Sequence, residues 1–184
     1  RDRVAIIGGS SRGIGRAIAM AFAQEGASVT ICARTEADLR RTEIEIARIG
    51  SQQHVLAIPA DLSDSRDIRR VVRDTINRFG QVGIMVTHVG FGPPGRPSEF
   101  SDETIMEAME QNFLSAIRLT REVTPYMKQQ RWGRIVHLLP IMAKQRADRM
   151  ALTASSQLAL VGYSKILANE LAPFNITVNN VMCG

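Results

Sequence analysis

The chain has 184 residues, of which 45% are hydrophobic, so it is long enough for one domain with a substantial core and too short for two typical ones. Its formal net charge is +5, but basic and acidic residues alternate along the predicted helices and aromatic residues make up only 5%, which argues against a nucleic-acid-binding surface. No apolar run approaches the roughly 20 residues that cross a bilayer, so we expect no membrane span.

The first predicted element is an apolar strand at residues 4–7, followed by a glycine-rich turn and a helix. The turn reads Gly-Gly-Ser-Ser-Arg-Gly-Ile-Gly over residues 8–15. Its glycines permit a tight turn and a close approach of backbone to a pyrophosphate, and the N–H groups of the following helix face the phosphates. The pattern predicts a dinucleotide site, the alternative being a turn without a ligand; its residues are Gly9, Ser11, Arg12, Gly13, Ile14 and Gly15.

Strands and helices alternate along the rest of the chain. Apolar runs predict strands at residues 29–33, 54–58, 82–86, 135–139 and 176–181. Helical periodicity and capping residues predict helices at 35–50, 64–80 and 151–171, and a helical region at 101–130 that allows a break. This alternation predicts an α/β fold with a Rossmann-type doubly wound parallel sheet and helices on both faces, as a single domain over residues 1–184.

Two loops leave the carboxyl ends of predicted strands, where ligands of open α/β sheets bind. The segment 91–97 is rich in glycine and proline and either borders a substrate or is a stiff surface connection. Lys144 and Arg146 follow the fifth strand and either anchor an acidic substrate or lie in a solvated loop. The sequence leaves both choices open.

These motifs together resemble the short-chain dehydrogenase/reductase family, in particular its 3-oxoacyl reductases, over the whole chain. The glycine turn matches that family's Thr-Gly-x3-Gly-Ile-Gly, with Gly8 in the place of threonine. Asp61 and Leu62 match the pair that contacts adenine, and Asn112 matches the helix asparagine of the catalytic tetrad. The resemblance implies a nicotinamide dinucleotide cofactor and a small-molecule carbonyl or alcohol substrate.

The chain departs from the family at the fourth strand, which there ends Asn-Asn-Ala-Gly. Here positions 87–90 read Thr-His-Val-Gly, so only the last residue of the motif, Gly90, is kept. The resemblance places Gly90 against the cofactor. His88 is either a catalytic imidazole, since its pKa lies in a useful range, or a structural hydrogen-bonding group. We interpret His137 as a packed core histidine.

The larger departure lies in the catalytic tetrad. By resemblance its serine, tyrosine and lysine fall on Pro140, Thr153 and Gln157, and only Asn112 is retained. We therefore take Asn112, Thr153 and Gln157 as the candidate catalytic positions and expect the standard mechanism to be impaired. A divergent branch resembling ketoacyl reductases also lacks the tyrosine and the lysine.

Three functions are compatible with a kept glycine turn and a substituted catalytic tetrad. The first is an NADP(H)-dependent reductase of carbonyls or alcohols that uses substitute catalytic groups. The second is a catalytically silent protein that binds NADP(H) as a sensor or as the inactive subunit of a mixed oligomer. The third, a scaffold without a ligand, is disfavoured by the intact glycine turn.

The choice of NADP(H) rests on the end of the second strand. An acid at this position would select NAD by binding the ribose 2′-hydroxyl, but here Ala33 is followed by Arg34, and Arg12 adds a second guanidinium nearby. Two guanidiniums suit a 2′-phosphate. The alternative is that Arg34 merely begins the next helix on the surface.

The remaining expectations concern assembly and environment. The helices around residues 112–130 and 151–171 carry apolar residues on more than one face, and relatives associate through them, so we expect a homodimer or homotetramer. Cys32 and Cys183 lie far apart in apolar runs, which favours reduced cysteines and a cytoplasmic location. The chain begins almost on its first strand, which leaves no room for a signal peptide, and it ends where relatives continue into a substrate-capping segment.

Overall fold

The computed structural model describes residues 2–50, 52–88 and 90–183, in which six strands alternate with helices. The strands are β1 Val4–Gly8, β2 Ser28–Ala33, β3 Val55–Pro59, β4 Ile84–His88, β5 Gly133–Pro140 and β6 Ile176–Cys183. The α-helices are α1 Gly13–Gln24, α2 Glu36–Ile49, α3 Ser65–Phe79, α4 Asp102–Met109, α5 Ser115–Gln129 and α6 Ala151–Leu171.

The six strands form one sheet in the order β3-β2-β1-β4-β5-β6, and each neighbouring pair is parallel. This confirms the predicted doubly wound sheet. Because all strands run the same way, their carboxyl ends share one edge, and the order reverses between β1 and β4. Ligands of such sheets bind outside that edge at the point of reversal.

Each face of the sheet carries its own hydrophobic cluster. On one face the strands pack against α3, α5 and α6 through buried residues that include Ile68, Leu119 and Leu171. On the other face they pack against α1 and α2 through Ala19 and Leu39, among others. Burial on both faces explains why the central strands are almost continuously apolar.

Helix α3 shows how local sequence sets an element. The Asp64 side chain caps its first turn by accepting a hydrogen bond from the Arg66 N–H at 2.8 Å. Gly80 ends the helix in the left-handed conformation, with φ of +74°. Between these signals lies the buried stripe of Ile68, Val71 and Val72, as the apolar spacing predicts.

Several strands and helices begin or end one or two residues away from the sequence-based expectation. Strand β4 begins at Ile84 rather than at residue 82, and the Val82 carbonyl accepts a hydrogen bond from the Gln130 side-chain amide at 2.9 Å. The helical region at 101–130 is interrupted by a π-helical turn at Glu110–Leu114, which carries the buried Asn112. Such turns insert one residue into a helix and are frequent at functional sites.

Candidate nucleotide-binding site

A cavity of about 530 Å³ opens at the carboxyl edge of the sheet, where the strand order reverses. Its walls come from the glycine turn, the ends of β2, β3 and β4, and the π-helical turn. It brings together nine of the predicted site residues: Gly9, Ser11, Arg12, Gly13, Arg34, Asp61, Leu62, Gly90 and Asn112. Ile14 and Gly15 adjoin it in the first turn of α1.

The glycine turn has a backbone shape that larger residues would strain. Gly9 and Gly13 have φ of +68° and +58°, in the left-handed region. A side chain at Gly15 would overlap the carbonyl oxygen of Gly9, so α1 packs directly on the turn. At Gly8 a Cβ would lie 2.7 Å from Leu62 Cδ1, which shows that glycine in place of the family's threonine leaves room for that leucine.

Ser10 anchors this turn, and sequence reasoning missed it. It is completely buried, and its hydroxyl donates to the Ile7 carbonyl at 2.7 Å and accepts from the Cys32 N–H at 3.0 Å. The Gly9 N–H also donates to the Cys32 carbonyl at 3.0 Å. These bonds tie the turn to the ends of β1 and β2. A serine in a glycine-rich turn gives no sign of whether its side chain points inward, so the sequence alone could not identify the role.

The N-terminus of α1 faces the cavity with free donors. The N-cap residue Arg12 has an extended backbone, its side chain makes no capping hydrogen bond, and the first turn contains no acidic residue. The first N–H groups of a helix have no intrahelical acceptor, and the helix dipole places positive charge there. This geometry suits a phosphate group, so the residues fit the pyrophosphate of a dinucleotide.

Two arginines add positive charge beside this helix end. Arg12 and Arg34 are both exposed and line the cavity, and among residues 2–50, 52–88 and 90–183 neither has a carboxylate within ion-pair distance. Arg16, one turn into α1, is by contrast paired with Glu45 of α2. The two guanidiniums in the cavity therefore remain available to an anionic ligand.

The far wall of the cavity is set by the turn after β3. The Asp61 carboxylate accepts hydrogen bonds from the N–H and the hydroxyl of Ser63, at 2.9 and 2.7 Å. The Asp61 N–H donates to the Asp67 carboxylate at 2.8 Å, which fixes the turn on the first turn of α3. Asp61 and Leu62 thus form a rigid edge of polar and apolar atoms.

The two histidines of the central strands occupy different environments. His88 is exposed at the end of β4 beside Gly9, and partial desolvation by its surroundings lowers its pKa below the usual value. His137 is completely buried, with Nδ1 2.7 Å from the Thr87 hydroxyl oxygen, and burial lowers its pKa to about 4. It stays neutral at physiological pH, as expected for a packed core histidine.

The positions that the resemblance assigns to the tetrad tyrosine and lysine, Thr153 and Gln157, do not line the cavity. Thr153 and Gln157 are both completely buried on α6, and neither lines the cavity. The Thr153 hydroxyl accepts a hydrogen bond from the Gly92 N–H at 2.9 Å, and the Gln157 side-chain amide donates to the Gly90 carbonyl at 3.3 Å. Both side chains hold the loop that follows β4.

Asn112 is held against the same helix, since its side-chain amide donates to the Ser156 hydroxyl at 3.3 Å. Tyr163 packs against the core and meets Phe113 edge to face, with ring centroids 6.3 Å apart, while Lys165 is exposed. Tyr163 is therefore a packing residue and Lys165 a surface residue.

The part of the chain that the structure describes bears on two further kinds of site, metal centres and membrane segments. There, His, Cys, Asp and Glu side chains form no group of three or more that could hold a metal ion, and no helix combines the length and apolarity needed to span a bilayer. Cys32 and Cys183 are both free, and burial raises the pKa of the Cys32 thiol to about 12.

A shallower cavity of about 290 Å³ lies between the loop after β5 and the start of α6. Lys144 and Arg146 are among its lining residues, and Arg146 pairs with Asp148 at 3.0 Å. Because both members of this pair are more than 80% exposed, the interaction is weak.

Comparison with known proteins finds similarity to short chain dehydrogenases over nearly the whole chain. The sequence model of short chain dehydrogenases matches residues 3–184. A putative ketoacyl reductase of the monensin polyketide synthase from Streptomyces virginiae is 32% identical, over 100% of this chain and 70% of its own length. An L-fucose dehydrogenase from Rattus norvegicus is 28% identical, over 99% of this chain and 65% of its own length.

Solved structures give the same result in three dimensions. An actinorhodin polyketide ketoreductase crystallised with NADPH superposes with a TM-score of 0.91 at 32% identity, covering 98% of this chain and 69% of its own. A xylitol dehydrogenase with bound NAD+ superposes with a TM-score of 0.92 at 21% identity, again over 98% of this chain and 69% of its own, which supports the fold alone.

Proposed function

The chain belongs to the short-chain dehydrogenase family of oxidoreductases, and from this premise we propose that it binds NADP(H) and catalyses the family's hydride transfer very slowly or not at all. One observation carries the proposal. The glycine turn and the helix end that hold a dinucleotide are intact, whereas Thr153 and Gln157 are buried and bonded to the loop after β4.

The preference for NADP(H) over NAD(H) is supported by the charge around the cavity. Arg12 and Arg34 would bind the adenosine 2′-phosphate by charge-assisted hydrogen bonds, and the glycine turn with the N-terminus of α1 would bind the pyrophosphate. Asp61 and Leu62 would border the adenine. The end of β2 carries Ala33, so no carboxylate at that point would repel the 2′-phosphate.

The proposed slowness follows from the side chains at the three replaced positions. Bound NADPH would supply the hydride, but reduction of a carbonyl also requires a proton for the developing alkoxide. Thr153 is a far weaker acid than a phenol, Gln157 carries no charge to stabilise a phenolate, and Pro140 has neither a hydroxyl nor an N–H. Loss of a positioned general acid alone costs about 10² to 10⁴ in rate.

The reaction class, if any turnover occurs, is reduction of a small-molecule ketone or oxidation of the corresponding alcohol. Ketoacyl reductases among the relatives support a 3-oxoacyl-type substrate. The second candidate is a silent NADP(H)-binding sensor or the inactive subunit of a mixed oligomer. It is favoured specifically by the engagement of Thr153 and Gln157 in structural hydrogen bonds.

We also propose that the protein is a homodimer or homotetramer of the cytoplasm. Helix α6 exposes large apolar side chains, with Leu158 53% and Ile166 71% exposed, and a partner helix would cover them. The free cysteines are compatible with a reducing compartment. Light scattering at micromolar concentration tests the assembly, and a monomer would contradict it.

The test of the cofactor proposal is a titration of the full chain with NADPH and NADH. We expect NADPH to bind about 10- to 100-fold more tightly, since each lost charge-assisted hydrogen bond costs about 1.5–3 kcal/mol. Arg34→Asp should reverse the order. Arg41→Asp, the same charge change on the exposed side of α2, should leave it unchanged. Equal affinities in the wild-type protein would refute the assignment.

A further inference from the structure

We propose that His88 contacts the pyrophosphate of the bound dinucleotide and takes up a proton when the dinucleotide binds. The inference rests on the proposed function, since it concerns the same cavity. It adds a binding residue to that site and makes the affinity for the cofactor depend on pH. A protonated imidazole carries two N–H donors and a positive charge, both of which suit a phosphate oxygen.

Strand β4 directs the His88 side chain to the face of the sheet that carries α1. Side chains alternate along a strand, so His88 lies on the same face as Val86, which belongs to the hydrophobic cluster beneath α1 and α2. Its partner on β5, Leu138, belongs to the same cluster. Thr87 is on the opposite face, where it contacts His137. His88 therefore lies on the side of the sheet where the glycine turn leads into α1.

A contact with Gly9 shows where on that side the imidazole lies. A Cβ on Gly9 would lie 3.4 Å from the His88 Cβ and 3.6 Å from the His88 Nδ1. Both residues also line the cavity of about 530 Å³. Glycines in a turn of this kind allow the backbone to approach a pyrophosphate closely. An imidazole packed beside Gly9 therefore borders the space that the proposed function assigns to the pyrophosphate.

The three histidines of the chain differ in what their rings contact. The Nδ1 atoms of His54 and His137 lie 2.9 and 2.7 Å from the hydroxyl oxygens of Ser28 and Thr87. His88 is exposed on the cavity wall, and among the described residues its ring has no such partner. Its ring nitrogens are therefore open to a ligand in the cavity.

The ionisable groups on the cavity wall set the charge of His88 before a ligand binds. Arg12 and Arg34 are positive and Asp61 is negative, while Cys32 stays a neutral thiol because burial raises its pKa to about 12. The π-helical turn contributes amide side chains, which do not titrate. Desolvation by the surrounding protein lowers the pKa of His88 below its usual value of 6.5. The imidazole is therefore neutral in the free protein at neutral pH.

A pyrophosphate beside the ring shifts this balance towards the protonated form. An opposite charge within about 4–6 Å favours the charged form of a histidine and raises its pKa. In the complex the pKa of His88 is then higher than in the free protein, so binding takes up a proton between the two values. By linkage, the affinity increases as the pH falls through the pKa of the complex, and it levels off below the pKa of the free protein.

The experiment is a calorimetric titration of the full chain with NAD+ and NADP+ at about pH 8 and about pH 6.5, in buffers of different ionisation enthalpy. NAD+ isolates the pyrophosphate, because the 2′-phosphate of NADP+ is a phosphomonoester and itself titrates near pH 6. The affinity of the wild-type protein for NAD+ should rise about three- to tenfold at the lower pH, against a limit of about tenfold per pH unit for one proton. On the order of half a proton should be taken up per bound NAD+.

His88→Asn assigns the proton to this residue, since asparagine is what the resemblance places at position 88. The variant should bind NAD+ without proton uptake and with an affinity that is unchanged between the two pH values. His54→Asn makes the same change at an exposed histidine bonded to the first residue of β2, at the opposite edge of the sheet, and should behave like the wild type. His88→Gln replaces His88→Asn if the latter does not fold.

The outcomes separate this inference from the proposed function. If NADP+ or NAD+ binds but the wild type and His88→Asn show the same proton uptake and the same pH dependence, the role of His88 is overturned while cofactor binding stands. A difference that is confined to NADP+ would assign the contact to the 2′-phosphate and overturn the pyrophosphate assignment. If neither nucleotide binds at either pH, the proposed function is overturned and this inference with it.

Discussion

Replacement of Thr153 by valine should destabilise the protein, although the two side chains have nearly the same shape. Thr153 is 0% exposed, and its hydroxyl is the acceptor for the buried Gly92 N–H at 2.9 Å. Valine keeps the methyl group and the branching but offers no acceptor. The Gly92 N–H would then be buried without a partner.

The size of the effect follows from that lost acceptor. Leaving a buried donor unsatisfied costs about 1–3 kcal/mol, more than the net value of an average hydrogen bond. For a domain of 150–250 residues, about 1 kcal/mol shifts the melting temperature by roughly 2–4 °C. Thr153→Val should therefore lower the melting temperature by about 2–12 °C.

Urea unfolding of the full chain measures the free-energy change directly, and amide hydrogen exchange locates it. Thr153→Val should lower the free energy of unfolding by about 1–3 kcal/mol and raise the exchange rate of the Gly92 amide. Ser155→Ala should stay within about 0.5 kcal/mol of wild type. Unchanged stability together with unchanged Gly92 exchange would refute the idea that this hydroxyl holds the loop.

Three further changes test other parts of the molecule. Gly15→Ala should abolish NADPH binding or greatly weaken it, because the new methyl group displaces the turn; calorimetry showing wild-type affinity would contradict the packing. The pKa of His137 is about 4 in the folded chain and 6.5 in the unfolded chain. The free energy of unfolding should therefore decrease as the pH is lowered from 6.5 to about 4, by up to ~1.4 kcal/mol per pH unit. His137→Gln should flatten that part of the unfolding curve, and an unaltered slope would assign it to other groups. Pro140→Ser with Thr153→Tyr and Gln157→Lys should raise ketone reduction by NADPH by about 10² or more. Rapid ketone reduction by the wild-type protein that is undiminished in Thr153→Val would contradict this prediction and indicate another proton donor.

The fold and the grouping of the predicted site residues around one cavity could be predicted because their signals are local in sequence. The glycine turn lies within eight consecutive residues, and α3 is bounded by an N-cap aspartate and a C-terminal glycine in the same stretch. Apolar strand-like runs that alternate with segments of helical periodicity indicate a parallel sheet, whichever apolar residues the runs contain. Arg12 and Arg34 could be placed together because the first two strands of such a sheet are neighbours.

The contacts between the loop after β4 and helix α6 could not be predicted, because they join segments that are distant in sequence. Gly92 and Thr153 are 61 residues apart, and Gly90 and Gln157 are 67 apart. A turn rich in glycine and proline gives no periodicity from which its packing partner could be inferred. The resemblance draws attention to positions 153 and 157, but only the structure shows what the side chains at these positions contact.

The architecture separates the glycine turn from α6. The glycine turn is held by Ser10 and the ends of β1 and β2, and among the described residues none of its hydrogen bonds involves α6. Thr153 and Gln157 belong to α6 and act on the segment after β4. Replacing them therefore leaves the backbone of the glycine turn in place. Under the proposed function, a tyrosine at position 153 must both supply a phenol and displace Gly92 from its present acceptor, the Thr153 hydroxyl. Any gain in activity should therefore be accompanied by faster exchange of the Gly92 amide.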